Sequence, residues 1–270
     1  SLGVLATGFL ALPALGNRGT LLAAGAASAL LAIPFLPGWR TGASAPTTPA
    51  GGPLPGKGIL VLYGISAFAA MTSEIGWMRA LVLSIGSSTY ANTIVLAVYI
   101  AGLGTGVALG TRLRRRPDRT VGWLQIAIAF ACLGALVLLG RMPELFAGLF
   151  RHHVYSLPTF AGAALAAAAM AIFLPAVLVG AGFQSALSWL SVRAGAARAS
   201  GALLAAATVG SAAGALCVSF VAIPWIGLPA ALTGALLVHP FLGSGSLTAV
   251  TRRPWGSFAA AVLVAARFFC

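Results

Sequence analysis

Acidic residues are almost missing from this chain: among its 270 residues, Asp and Glu together number 3, namely Glu74, Asp118 and Glu144. Charged residues of both signs reach only 7%, against about 25% in an average soluble domain. So few charges cannot cover a water-facing surface, so lipid is the expected solvent for much of the chain. The scarcity of carboxylates also removes most acid–base chemistry, and no catalytic residue is expected. Cysteine is scarce too. Cys132, Cys217 and Cys270 lie in apolar stretches with no CxxC pair, which excludes a disulfide framework and leaves them as small hydrophobes. His152 and His153 share the short segment RHHVY, and His239 stands alone before Pro240. A metal site needs more convergent ligands than these, so neither metal nor cofactor is expected.

What fills the chain instead is apolar and small. Hydrophobic residues make up 60%, mean hydropathy is +1.00, and there are 34 glycines. Small residues let membrane helices approach closely. The formal charge of +13 does not point to nucleic acid, because the basic residues fall between apolar runs and form no patch with interleaved aromatics.

A membrane-spanning helix needs about 20 apolar residues. Apolar segments run over 1–15, 19–36, 58–83, 89–111, 121–141, 159–190, 198–223, 228–247 and 254–270. Residues 37–57, rich in Pro, Gly, Ser and Thr, read as a flexible linker. The segment 159–190 is long for one span. Pro175 within it removes a backbone hydrogen bond, which predicts either one kinked helix or a span followed by a surface helix from Phe183. The chain opens at Ser1 inside an apolar run and ends at Cys270 inside another, so a fragment of a longer protein is expected, without a signal peptide.

Orientation follows from the arginines. With Lys57 cytoplasmic, alternate loops place Arg40, Arg112, Arg114, Arg115, Arg116, Arg119, Arg193, Arg198, Arg252 and Arg253 on the same side. Arg18, Arg79, Arg141 and Arg151 fall on the other. The loop TRLRRRPDRT at 111–120 is read as a cytoplasmic anchor, although it has some flavour of the loop between helices two and three of major facilitator transporters. Trp77, Trp123, Trp189 and Trp225 lie near expected helix ends, as an aromatic belt would place them.

Residues 3–24 align without a gap on residues 214–235. Phe9 falls on Phe220, Pro13 on Pro224 and Gly16 on Gly227. The shared F-x-x-x-P-x-x-G frame marks an internal repeat. Residues 1–36 are then the last two helices of a first six-helix unit. Residues 58–247 form a complete second unit, and 248–270 a cytoplasmic loop with the start of a further apolar segment. Two parallel six-helix units are the plan of the major facilitator halves. The expected fold is an all-α polytopic helix bundle of that kind, with the lipid bilayer as its partner.

Three features carry the candidate sites. Residues 102–110, GLGTGVALG, lack the third glycine and the later acidic residue of a dinucleotide loop. Gly102, Gly106 and Gly110 instead make one small-residue helix face, and Gly210 and Gly214 make another. Glu74 lies inside an apolar segment, where an ionisable group costs a few kcal/mol or more, roughly, and is a functional hypothesis by default. Arg79, five residues on, is a poor partner within one helix. Tyr90, Asn92, Gln125 and Gln184 are the polar groups available to it. Both a buried polar clamp and a cation or proton site fit.

The segment 65–110 resembles the membrane region of fused major-facilitator-like/spermidine synthase proteins, multi-span bacterial relatives of polyamine aminopropyltransferases. The resemblance rests on Ser66 to Ala70 (SAFAA), on Glu74, Trp77 and Arg79 as E-x-x-W-x-R, and on Gly86, Ser87 and Ser88 with Tyr90. FLPAVLVGAGFQSAL at 173–187 is similar to that family's proline-containing fourth helix. The stretch from Arg198 through Pro224 and Gly227 is similar to its fifth, with Thr208 where Asn is usual. The resemblance covers most of residues 1–245. It implies a bacterial inner-membrane scaffold anchoring a cytoplasmic aminopropyltransferase domain, which would act on decarboxylated S-adenosylmethionine and a diamine such as putrescine. With three acids and none in a strand-loop-helix context, the resemblance carries over the scaffold and not an active site. A transporter of a cationic amine is the alternative.

Overall fold

The computed structural model describes residues 2–33, 57–85, 89–113, 117–151 and 157–251. Those residues are helical almost throughout and include no strand. The helices are α1 (Leu2–Ala6), α2 (Leu12–Ala32), α3 (Lys57–Ile85), α4 (Thr89–Gly110), α5 (Pro117–Arg151), α6 (Leu157–Ala168), α7 (Leu174–Ala194), α8 (Ala196–Cys217) and α9 (Ile223–Thr251). Residues 37–56, the GSS stretch, Arg40, Arg114, Arg115, Arg116, His152, His153 and 252–270 lie outside the described residues.

Among the described residues, five stretches are long and apolar enough to cross a membrane. Large apolar side chains such as Leu83, Val209, Phe220 and Trp225 are exposed around the outside. A soluble domain would hide most of these, whereas a lipid-facing surface does not need to. The chain is a multi-pass helical membrane protein.

Three prolines act alike. Five-residue π turns occupy Thr7–Ala11, Ala169–Phe173 and Val218–Ala222, and Pro13, Pro175 and Pro224 each follow two residues later. A proline has no N–H to donate, and its ring pushes on the carbonyl four residues back, so the helix widens locally to accommodate it. At Pro175 the helix then continues, so α6, the π turn and α7 form one continuous element, and no separate surface helix starts at Phe183.

At the other two prolines a glycine three residues on ends the continuity. Gly16 has φ 66°, ψ 177° and Gly227 has φ 80°, ψ 165°. That region is open essentially to glycine alone. The two aligned segments therefore share their π turn and their break at the same offset.

The break at Gly227 matters for topology, because Ala196–Ser246 is a single apolar stretch of 51 residues. Unbroken, it would be about 75 Å long, far more than a bilayer core of about 30 Å. Close approaches give the directions. Gly210 and Gly214 of α8 meet Gly64 and Phe68 of α3, so these helices run parallel. Gly76 of α3 meets Leu232 of α9, while Gly243 of α9 meets Gly122 of α5 and His239 meets Gln125. Hence α9 runs against both α3 and α5, and the chain reverses at Gly227. Gly102, Gly106 and Gly110 of α4 descend along Phe173 to Gln184, so α4 and the α6–α7 element are parallel.

These directions gather Lys57, Arg112, Arg119, Arg193 and Arg198 at one end of the bundle. Arg79, Arg141 and Arg151 lie toward the other.

Several sequence expectations change. Asp118 and Glu144, expected in loops, both fall within α5, because the helix starts at Pro117 and runs past Pro143 to Arg151. Met142 and Phe146 bury into the core there and hold the extra turns. Trp77 is not in an interfacial belt. It is 3% exposed, packed in the main apolar cluster with Leu81, Ile94 and Ile128. Trp123 and Trp225 are exposed, and Trp189 stacks under the Arg193 guanidinium at 3.9 Å.

Candidate site: an intramembrane cavity at Glu74

Two apolar clusters fill the bundle. One centres on Trp77, Leu81, Ile128 and Leu232. The other, toward the basic end, holds Tyr63, Val121, Leu190 and Leu203. Polar side chains sit between them. Gln125 of α5 donates through Nε2 to Ser66 Oγ of α3 at 2.8 Å. Its Oε1 lies 2.7 Å from His239 Nδ1 of α9. An amide oxygen only accepts, so Nδ1 carries the proton and the imidazole donates. His239 Nε2 is buried with no hydrogen-bond partner among the described residues. Ser66, Gln125 and His239 are all buried, so this relay ties three helices together in a medium where lost hydrogen bonds are not replaced by water.

Beside the relay lies a cavity of about 320 Å³ enclosed by α3, α4, α7 and α8. Among the described residues lining it, Glu74 is the one that is charged, and the side chain of Tyr99 stands beside its carboxyl. Tyr63 and Phe183, an edge-to-face pair with centroids 5.7 Å apart, line it too. Ser66 and Ser211 complete its polar wall. Glycine makes room for this arrangement. A Cβ on Gly106 would strike the Val177 carbonyl, one on Gly180 the Leu103 carbonyl, and one on Gly210 the Gly64 carbonyl. The α4–α7 and α3–α8 pairs are thus in backbone contact, and the four helices leave their cavity between the two pairs.

Among the polar candidates named from the sequence, none is the partner of Glu74. Gln125 serves Ser66 and His239 instead. Tyr90 packs on Phe9 with centroids 5.1 Å apart. Asn92 is exposed in a groove that also holds Arg79. Gln184 lies against Gly110. Tyr99 was missed, and so was the partner of His239. A signal was available for Tyr99: it stands seven residues after Asn92 on a helix antiparallel to α3, close to the level of Glu74. Among the described residues no group of three His, Cys, Asp or Glu side chains could hold a metal ion. Arg112 and Arg119 are exposed at the basic end.

Comparison with protein-family models, with curated proteins and with solved structures finds no match to this chain.

Proposed function

We propose that this chain is the membrane domain of a transporter-type protein that binds a small organic cation at Glu74, inside the helix bundle. One observation carries the reading: among the described residues, the only charged group facing the four-helix cavity is a carboxylate, and the rest of the wall is aromatic, apolar or hydroxylic. Within a bilayer an acid placed toward a cavity marks a substrate or ion path. Aromatic faces add cation–π attraction for an ammonium group. A carboxyl serving only as a packing clamp has no use for an adjoining cavity. The site lies between two helix pairs, so motion of one pair against the other would open it to either side.

The test is uptake of a labelled alkylamine into proteoliposomes containing the purified protein. Glu74→Gln keeps shape and a hydrogen-bonding group but removes the charge. Uptake should be lost in that variant while its melting temperature stays close to the parent's. Undiminished uptake by a correctly inserted Glu74→Gln variant refutes the proposal.

The E-x-x-W-x-R block at Glu74–Arg79, with its resemblance to the spermidine-synthase-fused membrane regions, favours a second reading. In it the bundle anchors an aminopropyltransferase domain on the cytoplasmic side of a bacterial inner membrane, next to the basic end. The coding sequence beyond Cys270 tests this. Without a glycine-rich βαβ domain carrying paired acids, the second reading fails.

A further inference from the structure

We infer that the ligand of the Glu74 cavity is a linear monocation with a neutral hydrogen-bonding group at its far end, an ω-hydroxy- or ω-amidoalkylammonium, and not a diamine. The inference rests on the cation-binding reading above and specifies its substrate class.

The argument is the placement of polar groups along the cavity. Glu74 and Ser66 both line it and both lie on α3, eight residues apart. At 1.5 Å per residue, that separates them by about 12 Å along the helix axis. Tyr99 joins Glu74 at the first end. At the second end, the pairing of Gly210 with Gly64 on parallel helices sets Ser211 level with Ile65 and Ser66. Between the two ends the wall is apolar, formed by residues such as Ala67, Ala70, Met71 and Leu103. The cavity therefore has one anionic pole and one hydroxyl pole.

A hydrogen bond of about 2.8 Å at each end leaves about 6–7 Å between them, which a four- or five-carbon chain spans. A second ammonium at the hydroxyl pole would meet no carboxylate, and an unpaired charge in an apolar site is strongly disfavoured. The relay behind Ser66 sharpens the choice of end group. Gln125 Nε2 already donates to Ser66 Oγ, and His239 fixes the amide from its other side. The serine hydrogen is not used in that bond, so Ser66 can offer it to a hydroxyl or amide oxygen of the ligand. Gln125 and His239 are thus positioning residues for Ser66.

Three probes of equal chain length separate the possibilities: 5-aminopentan-1-ol, pentan-1-amine and pentane-1,5-diamine, titrated calorimetrically onto the full chain in nanodiscs. The amino alcohol should bind about threefold to tenfold more tightly than the plain amine, the range of one neutral hydrogen bond, and the diamine more weakly than the amino alcohol. Ser66→Ala should bring the first ratio close to one while leaving pentan-1-amine affinity in place, which also shows that the variant is folded. Gln125→Leu should lower the same ratio through Ser66. Equal binding of alcohol and amine by the parent protein, or a ratio unmoved by Ser66→Ala, overturns the inference and leaves the cation site standing. Tightest binding by the diamine overturns it as well. If no amine binds the parent protein, the cation-site reading itself falls and the inference with it.

Discussion

Replacing Gly106 by alanine should loosen the α4–α7 pair, and Gly104 on the same helix supplies the control. A Cβ on Gly106 would strike the Val177 carbonyl and crowd Ala181 N, both backbone atoms that no side-chain rotation can move. Restoring ordinary contact requires the two helix axes to part by about 1–2 Å, given van der Waals spacings of about 3.5–4 Å. The neighbouring close contacts at Gly102, Gly110 and Gly180 lose their fit at the same time. Overpacking of a well-packed interface costs about 1–3 kcal/mol. At Gly104 a Cβ meets nothing within 4 Å. There alanine gains helix propensity of up to about 1 kcal/mol with no clash. Both variants share that propensity term, so it cancels in the comparison. Gly106→Ala should then be less stable than Gly104→Ala by about 1–3 kcal/mol, read by steric trapping or by thermal unfolding in one detergent. Equal stability of the two variants would refute the claim that backbone contact holds α4 on α7.

Further outcomes follow from the same structure. Gly227→Ala should destabilise the protein by about 1–3 kcal/mol, since alanine is strained at φ 80°, ψ 165°; thermal unfolding beside Gly234→Ala, which has open space around it, is the check. Gln125→Leu should cost about 1–3 kcal/mol for each buried group it strands. The double variant Gln125→Leu with His239→Leu should recover part of that, and a double-mutant cycle with no coupling would count against the relay. Cysteines introduced singly at Arg112 and Arg198 should be labelled by an impermeant thiol reagent from one side of the membrane, and those at Arg79 and Arg141 from the opposite side; labelling of all four from the same side would break the alternation of helix directions.

The membrane class was legible in the sequence because it depends on composition, which needs no three-dimensional information. Long apolar runs interrupted by arginines leave few other structures open. The F-x-x-x-P-x-x-G frame was also legible, because proline and glycine act on their own backbone. Pro13 and Pro224 each follow a π turn, and Gly16 and Gly227 each take a conformation reserved for glycine. The polar partnerships were not legible. Glu74 was matched against four candidate side chains and in fact meets Tyr99. His239 looked solitary and in fact donates to Gln125, 114 positions away in the chain.

By itself, then, the sequence determined that Glu74 lies within an apolar segment, that one apolar segment ends by residue 223 and the next starts at 228, and which loops hold the arginines. Each of these is a property of one segment, set by local sterics or by transfer into lipid. Only the tertiary structure decided that Glu74 faces a cavity, that Ser66 stands at its other end, and that Gln125 and His239 hold Ser66 from behind. Those relations depend on the rotation and depth of one helix against another. Helices that are apolar on every side carry no sequence periodicity to set that rotation, so glycine contacts between backbones set it instead.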